Sequence, residues 1–240
     1  MEFLTQQPFC ITIAAPRKSG KSFLIKQMLA GGFLKRFDYI IIMCPTLELN
    51  DDYDDYRNHE KVTLIAHVQN NDLTQLFDNA VAAQKQVMEH RRQQKRRNVN
   101  HALHESLEAC ETLVILDDCV DSGLFDFRGE ADKIAERGRH LGLSCIISSQ
   151  RISAVSRSVR INSDYFIIFV PYSAGELERF VEQFAFKHQR KALFNIIMEV
   201  FSVPYRFLMV DNTEKNIHDK LKMATAGEFM NNKLTVVSLT

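Results

Sequence analysis

The sequence predicts an α/β fold in which helices flank a mostly parallel central sheet. Short apolar runs rich in Ile, Val, Leu and Phe alternate along the chain with longer stretches of helical spacing. Several of the runs are continuous rather than alternating, as expected for strands that are covered on both faces. Seven strands are predicted, at residues 9–14, 39–44, 62–66, 112–116, 144–149, 165–170 and 205–210.

Apolar residues at helical spacing predict four helices between these strands, at residues 21–29, 73–97, 131–140 and 175–201. The chain has no internal repeat and no linker rich in Pro, Gly or Ser, which favours one main domain over residues 1–212. Residues 213–240 are interpreted as a C-terminal extension with a short helix and an edge strand. We expect this extension to pack on the main domain or to extend from it.

Composition excludes little beyond membrane and secreted proteins. The 240 residues are 45% hydrophobic and 25% charged, and 30 Lys and Arg balance 30 Asp and Glu, so net charge indicates no nucleic-acid partner. No apolar run approaches the roughly 18 residues needed to span a bilayer, and the N-terminus lacks the basic start of a signal peptide. Five cysteines without a CxxC pair favour a reduced compartment. We expect a soluble, intracellular protein.

The segment APRKSGKS at residues 15–22 fits a phosphate-binding P-loop (Walker A), with Ala15 in place of the usual first Gly. Gly20 allows backbone N–H groups to face a phosphate, Lys21 reaches the β- and γ-phosphates, and the Ser22 hydroxyl suits Mg²⁺. A strand before the segment and a helix after it disfavour the alternative, a basic turn. The predicted ATP-binding residues are Ala15, Pro16, Arg17, Lys18, Ser19, Gly20, Lys21, Ser22 and Phe23.

A second strand, LVIL at residues 113–116, ends in two acids and suits the Walker B role. Asp117 is predicted to hold Mg²⁺, and Asp118 to polarise the attacking water. The alternative is a pair of acids that cap a loop after a core strand. Together the two motifs predict a three-layer P-loop NTPase fold of the RecA-like (ASCE) class, with ATP and Mg²⁺ as cofactors.

Polar residues elsewhere are candidates for catalysis. Gln150 ends a third apolar strand, where an amide can sense a phosphate or orient water, although it could also be an ordinary strand terminus. Arg139 is predicted to act as an arginine finger on a neighbouring subunit's nucleotide, with Arg137 and Arg160 as other candidates. The structural alternative for Arg137 and Arg139 is the general preference of cations for helix C-termini.

Two charged segments interrupt the α/β pattern. HRRQQKRR at residues 90–97 would place like charges on one helix face, an arrangement best tolerated in solvent or against phosphates. The predicted nucleic-acid contacts in this segment are Arg91, Arg92, Lys95, Arg96 and Arg97. The acidic segment NDDYDDY at residues 50–56 is interpreted as a solvated loop.

With these motifs in order, the chain resembles the genome-packaging ATPases of poxviruses and other large DNA viruses, in the FtsK/HerA-like branch of P-loop motors. The resemblance covers most of residues 8–212 and rests on SGKS at 19–22, LDD at 116–118, RGRHLGLSCIISSQ at 137–150, RINSDYF at 160–166 and YRFLMVD at 205–211. Three features depart from the family: Ala15, the lack of the extended C-terminal region of some relatives, and the basic segment 90–97.

The resemblance implies an ATP-driven motor that forms a homo-oligomeric ring and moves double-stranded DNA into a capsid. It further implies a capsid vertex or portal-like partner, and a place at virus assembly sites or in the virion. Other readings of the motifs are a nucleic-acid helicase or remodeller, a nucleotide-gated adaptor without turnover, and a small-molecule kinase. Asp118 and Gln150 argue against the adaptor, because a protein that only binds ATP needs neither.

Overall fold

Nine strands form one sheet in the part of the chain that the computed structural model describes. That part comprises residues 8–66, 74–83, 85–86, 89, 111–119, 124, 129–170, 173–184 and 189–237. The strands are Cys10–Ala14 (β1), Tyr39–Met43 (β2), Val62–Ile65 (β3), Thr112–Asp117 (β4), Leu143–Ser149 (β5), Tyr165–Ile168 (β6), Phe207–Asp211 (β7), Leu221–Ala224 (β8) and Thr235–Val236 (β9).

The strand order across the sheet is β3-β2-β4-β5-β1-β6-β7-β8-β9. All pairs from β3 to β6 are parallel, and the pairs from β6 to β9 are antiparallel. The prediction of a mostly parallel sheet is therefore confirmed. Because β5 lies between β4 and β1, residues that follow β1, β4 and β5 meet at the carboxyl edge of three adjacent strands, where α/β proteins bind ligands.

The described part of the chain contains six helices with assigned bounds, together with several shorter helical turns that connect the elements. The helices are Lys21–Met28 (α1), Glu130–Arg137 (α2), Arg157–Asn162 (α3), Ala174–Phe184 (α4), Arg190–Val200 (α5) and Ala226–Met230 (α6). A π-helical stretch, Leu29–Phe33, and a turn, Leu34–Arg36, continue α1. The 3-10 turns are Asp54–Tyr56, Gly138–Leu141, Ile152–Ala154 and Ile217–Asp219.

Two of the predicted helices need comment. Within the predicted helix 175–201 the structure describes two helical segments, α4 and α5, and residues 185–188 between them lie outside the described part. Within the predicted helix 73–97, residues 74–83 are helical. The predicted DNA-contacting residues Arg91, Arg92, Lys95, Arg96 and Arg97 all lie outside the described residues.

Alternate residues of the strands contribute to opposite faces of the sheet, which creates the predicted three layers. On β1, Ile11 and Ile13 pack in a core with α1 and the aromatic cluster that includes Phe33. Cys10 faces the other side and packs near α2 and α3. Further along that second face, α4 and α5 cover β6 and β7 through a third cluster centred on Phe180. Both faces of the central strands are thus buried, as their continuous apolar runs require.

The C-terminal extension adds to the same sheet. β8 pairs with β7, β9 pairs with β8, and α6 contacts α1 next to the P-loop. The N-terminus of α6 is fixed by a capping box, in which Thr225 and Glu228 satisfy each other's backbone N–H groups. Among the described residues, no helix combines the length and apolarity that crossing a membrane would need.

Candidate nucleotide site

The P-loop connects the carboxyl end of β1 to the start of α1. Lys18 (φ 62°) and Gly20 (φ 100°) both adopt the left-handed backbone conformation, which turns successive N–H groups toward one side of the loop. The Ser19 hydroxyl donates to the carbonyl oxygen of Pro16 at 2.7 Å and closes the loop on itself. Ala15 has no positive φ, so this position does not require the usual Gly.

Asp117, the last residue of β4, has a buried carboxylate with three donors. The Tyr53 hydroxyl donates to Oδ2 at 2.9 Å, and the Ser148 hydroxyl on β5 donates to Oδ1. The Lys21 ammonium lies 3.2 Å from the same Oδ1. Since each partner comes from a different element, the orientation of this carboxylate is fixed by the surrounding fold.

Asp118 leaves the strand with a left-handed backbone (φ 53°), a conformation that costs about 1–3 kcal/mol and is concentrated at functional sites. The Lys21 ammonium lies 2.5 Å from Asp118 Oδ1, and Gln150 Nε2 donates to Oδ2 at 3.2 Å. The structure therefore joins the predicted residues Lys21, Asp117, Asp118 and Gln150 in one hydrogen-bonded and ionic cluster. Their chemical roles stay predictions.

The cluster carries excess negative charge, because one ammonium faces two carboxylates. Burial lowers the pKa of Lys21, but the attraction of Asp117 and Asp118 outweighs burial and the net shift is upward. Lys21 is therefore charged at neutral pH. The uncompensated negative charge and the oxygen donors of Ser22 and Asp117 are the chemistry that Mg²⁺ prefers. These two residues fit the predicted magnesium site.

A cavity of about 770 Å³ lies over this cluster. The lining residues come from the P-loop and α1, the segment after β2, the ends of β4 and β5, and the turn before β7. They are Pro16, Arg17, Lys18, Gly20, Lys21, Ser22, Phe23, Thr46, Leu49, Asn50, Asp52, Asp118, Gln150 and Tyr205. Seven of the nine predicted ATP-binding residues are in this set, whereas Ala15 is buried beneath the loop and Ser19 bonds within it. The volume suits a nucleotide-sized ligand.

Sequence reasoning missed Tyr53. The interpretation of residues 50–56 as a solvated loop is wrong for two positions, because Tyr53 is fully buried and Tyr56 nearly so, while Asp54 and Asp55 are exposed. The two tyrosines are three residues apart, a spacing that places both rings on one side of a helical turn and could have indicated burial. Burial and the neighbouring Asp117 raise the pKa of the Tyr53 phenol well above its usual range, so this hydroxyl remains a donor.

Arg139 does not join the cluster. It is exposed and lies beside Cys10 and Leu143, at the amino ends of β1 and β5, with Asp164 close by. A strand rises about 3.3 Å per residue, so the five residues of β1 separate Arg139 from the P-loop by roughly 13 Å. Arg139 is therefore too distant for the nucleotide site of its own chain.

Arg160 occupies a different environment from Arg139. It is half-buried, and its guanidinium donates to the Ile152 carbonyl oxygen at 3.2 Å. Burial lowers the pKa of Arg160, with a further contribution from the nearby positive charge of Arg179. A guanidinium bound to its own chain is a poorer candidate for reaching a second subunit than exposed Arg139 or exposed Arg137.

A buried lysine that contacts two acids beneath a P-loop, at the carboxyl edge of a parallel sheet, defines the class of P-loop NTPase folds. The family model for the Poxvirus A32 protein matches residues 1–222, and the chain belongs to that family. This membership confirms the resemblance found in the sequence motifs. A second relative is the uncharacterized protein 015R of Frog virus 3, with 26% identity over 111 residues; the match covers 45% of this chain and 34% of that protein.

Solved structures share the fold at low identity. The genome packaging NTPase B204 of Sulfolobus turreted icosahedral virus 2, in complex with ATP-gammaS, matches with a TM-score of 0.62 and 18% identity over 92% of this chain and 98% of B204. EssC (ATPases 2 and 3) from Geobacillus thermodenitrificans matches with a TM-score of 0.59 and 17% identity, over 86% of this chain and 38% of EssC. The pCW3 conjugation coupling protein TcpA gives a TM-score of 0.56 and 16% identity, over 84% of this chain and 57% of TcpA. These likenesses confirm the predicted RecA-like fold class.

Proposed function

We propose that this protein is an ATPase that drives double-stranded DNA into a viral capsid, acting as a homo-oligomeric ring. The observation that carries the proposal is the contact of Lys21 with both Asp117 and Asp118, at 3.2 and 2.5 Å, beneath the P-loop cavity. Membership of the Poxvirus A32 family and a fold shared with a viral packaging NTPase support the same function.

The geometry supports a separate role for each residue of the cluster. The N–H groups of the P-loop and the Lys21 ammonium would bind the phosphates of ATP. Mg²⁺, held by the Ser22 hydroxyl and the Asp117 carboxylate, would neutralise phosphate charge when bound. Asp118 would accept a proton from the attacking water, and the Gln150 amide, which already donates to Asp118, would orient both groups.

DNA contact is assigned to the basic segment 90–97. Its cations would bind phosphates along the duplex irrespective of sequence, which suits a motor that must move any part of a genome. A capsid vertex or portal-like component would receive the DNA, at the assembly site in the infected cell or in the virion. These partners follow from the family and not from contacts within this chain.

ATPase activity measured against protein concentration, with and without double-stranded DNA, tests the proposal. A ring motor needs neighbouring subunits, so specific activity should rise with concentration and rise further with DNA. Turnover that is independent of both would contradict a ring motor and favour an isolated enzyme such as a kinase. Nucleotide binding without any turnover would favour the adaptor.

The DNA assignment has its own experiment. Replacement of Arg91, Arg92, Lys95, Arg96 and Arg97 by Gln should abolish stimulation by DNA and leave the DNA-independent rate unchanged, since none of them is among the residues assigned to nucleotide binding or catalysis. Because phosphate contacts release counterions, the wild-type stimulation should also decline steeply with salt. Full stimulation of the Gln variant at every salt concentration would place the DNA-binding surface elsewhere.

A further inference from the structure

An apolar groove of about 540 Å³ adjoins the phosphate cavity. Its lining residues come from the P-loop and α1, the end of β6, the turn before β7, and the start of α6: Gly20, Phe23, Phe169, Pro204, Tyr205, Thr225, Ala226 and Gly227. Three of them, Gly20, Phe23 and Tyr205, also line the phosphate cavity, so the two spaces are continuous. A ligand bound through phosphates at the P-loop could extend into this groove.

Two aromatic rings at the junction are unusually exposed. Phe23 is 58% and Tyr205 is 66% accessible, although rings of this size bury most of their surface in ordinary packing. The Tyr205 ring lies against the P-loop, since a Cβ added at Gly20 would come within 3.4 Å of Tyr205 Cδ1. Tyr205 also has a left-handed backbone (φ 60°), which is rare for a bulky residue. Tyr205 thus combines a strained backbone with an exposed ring beside the phosphate site.

The opposite wall of the groove is rigid and comes from the C-terminal extension. The capping box of Thr225 and Glu228 fixes the first turn of α6. Behind that turn, Phe229 packs edge-on against Phe207, with their ring centroids 5.6 Å apart. The ring centroids of Phe207 and Phe169 are 5.4 Å apart. This side of the groove is therefore held in place by the capped helix and the aromatic core beneath it.

We propose that this groove binds the nucleobase and ribose of the nucleotide whose phosphates bind at the P-loop, and that aromatic stacking is the main recognition. The inference rests on the nucleotide-binding part of the proposed function only. Exposed rings suit a base because every base has a π-face. The Thr225 hydroxyl is engaged with Glu228, which leaves it poorly placed to read base edges.

Recognition by stacking has a consequence for specificity. Sites that read a substrate through dedicated hydrogen bonds reject analogues by about 10⁴–10⁵-fold, whereas stacking is tolerant of base identity. We therefore expect ATP and GTP to bind within about tenfold of each other. The groove would give affinity and orientation to the nucleotide with little selection among bases.

Tyr205→Gly is the first test variant, because Gly removes the ring and accepts the left-handed backbone without strain. Dissociation constants for ATP, GTP and inorganic triphosphate would be measured by calorimetry on the full chain with Mg²⁺. We expect affinity for both nucleotides to fall about tenfold or more, with unchanged affinity for inorganic triphosphate and no loss of thermal stability. An equal loss for inorganic triphosphate, or no loss for ATP, would overturn the inference.

Gly227→Leu is a second variant that fills the groove. A Cβ at Gly227 meets no atom within 4 Å, so the added side chain enters open space on a helix without disturbing the fold. Gly175→Leu is the matched control, since Gly175 also lies on a helix with nothing within 4 Å but does not line the groove. We expect weaker binding of ATP, but not of inorganic triphosphate, in Gly227→Leu only.

The outcomes separate this inference from the wider proposal. If wild-type protein binds ATP and the variants have the expected effects, but turnover is not stimulated by DNA, the result would support base binding in the groove and refute the proposed DNA motor. DNA-stimulated turnover together with unaltered ATP binding in both Tyr205→Gly and Gly227→Leu would refute base binding in the groove and support the proposed DNA motor. Discrimination between ATP and GTP above about a hundredfold would refute recognition by stacking.

Discussion

The two edges of the sheet differ in how their charged groups are arranged. At the carboxyl edge, Lys21, Asp117, Asp118 and Gln150 contact one another at distances of 2.5 to 3.2 Å, with Lys21 and Asp117 buried and the other two partly buried. At the amino edge, Arg139 is exposed to solvent near a single partly buried acid, Asp164. One edge pairs its charged groups with one another and keeps an excess of negative charge, and the other presents a cation outward.

This contrast indicates which parts of the proposed chemistry one subunit can supply. The carboxyl edge has the P-loop, the candidate metal ligands Ser22 and Asp117 and a candidate base, all positioned by the fold of one chain. The positive charge that would stabilise the transition state lies roughly 13 Å away, across the length of β1. If Arg139 acts, it acts on a nucleotide bound to a neighbouring copy.

The largest expected effect comes from removal of this cation. Arginine fingers contribute about 10³–10⁵-fold to turnover, so we expect Arg139→Ala to reduce kcat at least about a thousandfold with ATP binding retained. Arg137→Ala, which removes an exposed arginine two residues away, is the control and should be near wild type. A loss confined to Arg137→Ala would show that the finger has been assigned to the wrong arginine.

Mixed rings test whether the effect is between subunits. Arg139→Ala subunits keep an intact nucleotide cluster, and Asp118→Asn subunits keep the arginine. Mixing the two inactive variants should therefore restore part of the activity, with a maximum at intermediate ratios. An unchanged zero rate at every ratio, in rings shown by mass to contain both variants, would mean that Arg139 does not act in trans.

Asp118→Asn tests the carboxyl edge itself. General-base catalysis contributes about 10²–10⁴-fold, and Asn cannot accept the proton of water, so kcat should fall at least about a hundredfold. Asn can still accept from Gln150, but it loses the ion pair with Lys21. ATP affinity should therefore be equal or higher, because Lys21 is freed for the phosphates. A variant with full turnover would exclude Asp118 as the base.

Tyr53→Phe is expected to have an intermediate effect. It removes the hydroxyl that donates to Asp117 at 2.9 Å, and the loss of such outer-shell partners typically weakens metal affinity or activity about 10–100-fold. We expect the Mg²⁺ concentration for half-maximal ATPase activity to rise about tenfold, with nucleotide binding in the absence of Mg²⁺ unchanged.

Tyr56→Phe is the matched control for this change. Its hydroxyl belongs to the same helical turn, but donates at 3.5 Å to the backbone oxygen of Lys26 and not to Asp117. If both variants shift the Mg²⁺ requirement equally, the segment acts through general stability and Tyr53 has no specific role.

The smallest effect is expected at the amino edge. Burial raises the pKa of Asp164 above its ordinary value of 3.8, and the Cys10 N–H and Arg139 only partly oppose this shift. The unfolded chain therefore loses this proton at lower pH than the folded protein, and ionisation costs stability as pH rises through the folded pKa. Asp164→Asn should match wild type near pH 4 and be more stable at pH 7, by about 4 °C in Tm or less.

Thermal unfolding of both proteins across this pH range provides the measurement. A variant that is less stable than wild type at pH 7 would mean that the charge of Asp164 is favourable there, through Arg139 and the Cys10 N–H at 2.7 Å. In that case the acid would hold Arg139 in place, and the contrast between the two edges would be smaller than described.

Local sequence patterns were sufficient for much of the fold and for the phosphate half of the site. Continuous apolar runs identified the seven strands β1 to β7, and the residues at their ends identified Asp117, Asp118 and Gln150, because parallel strands bring their carboxyl ends together. The P-loop was also predictable from local sequence, since its left-handed positions and its lysine form a fixed local pattern.

What the sequence did not reveal depends on contacts between distant segments. Tyr53 reaches Asp117 only because β2 and β4 are neighbours in the sheet, an order that no local pattern encodes. Thr225 and Tyr205 approach the P-loop only after β7 and β8 have added to the sheet in antiparallel pairs.

The contact of α6 with α1 also bears on the order in which this protein can mature. The P-loop at residues 15–22 is synthesised long before residues 225–227, which face it across the groove. Contacts between such distant segments form slowly because a long loop must close first. A growing chain can build its central sheet early, yet the wall beside the P-loop is complete only when residues 225–227 have been made and packed. The order of synthesis thus separates the formation of the P-loop from the completion of the pocket beside it.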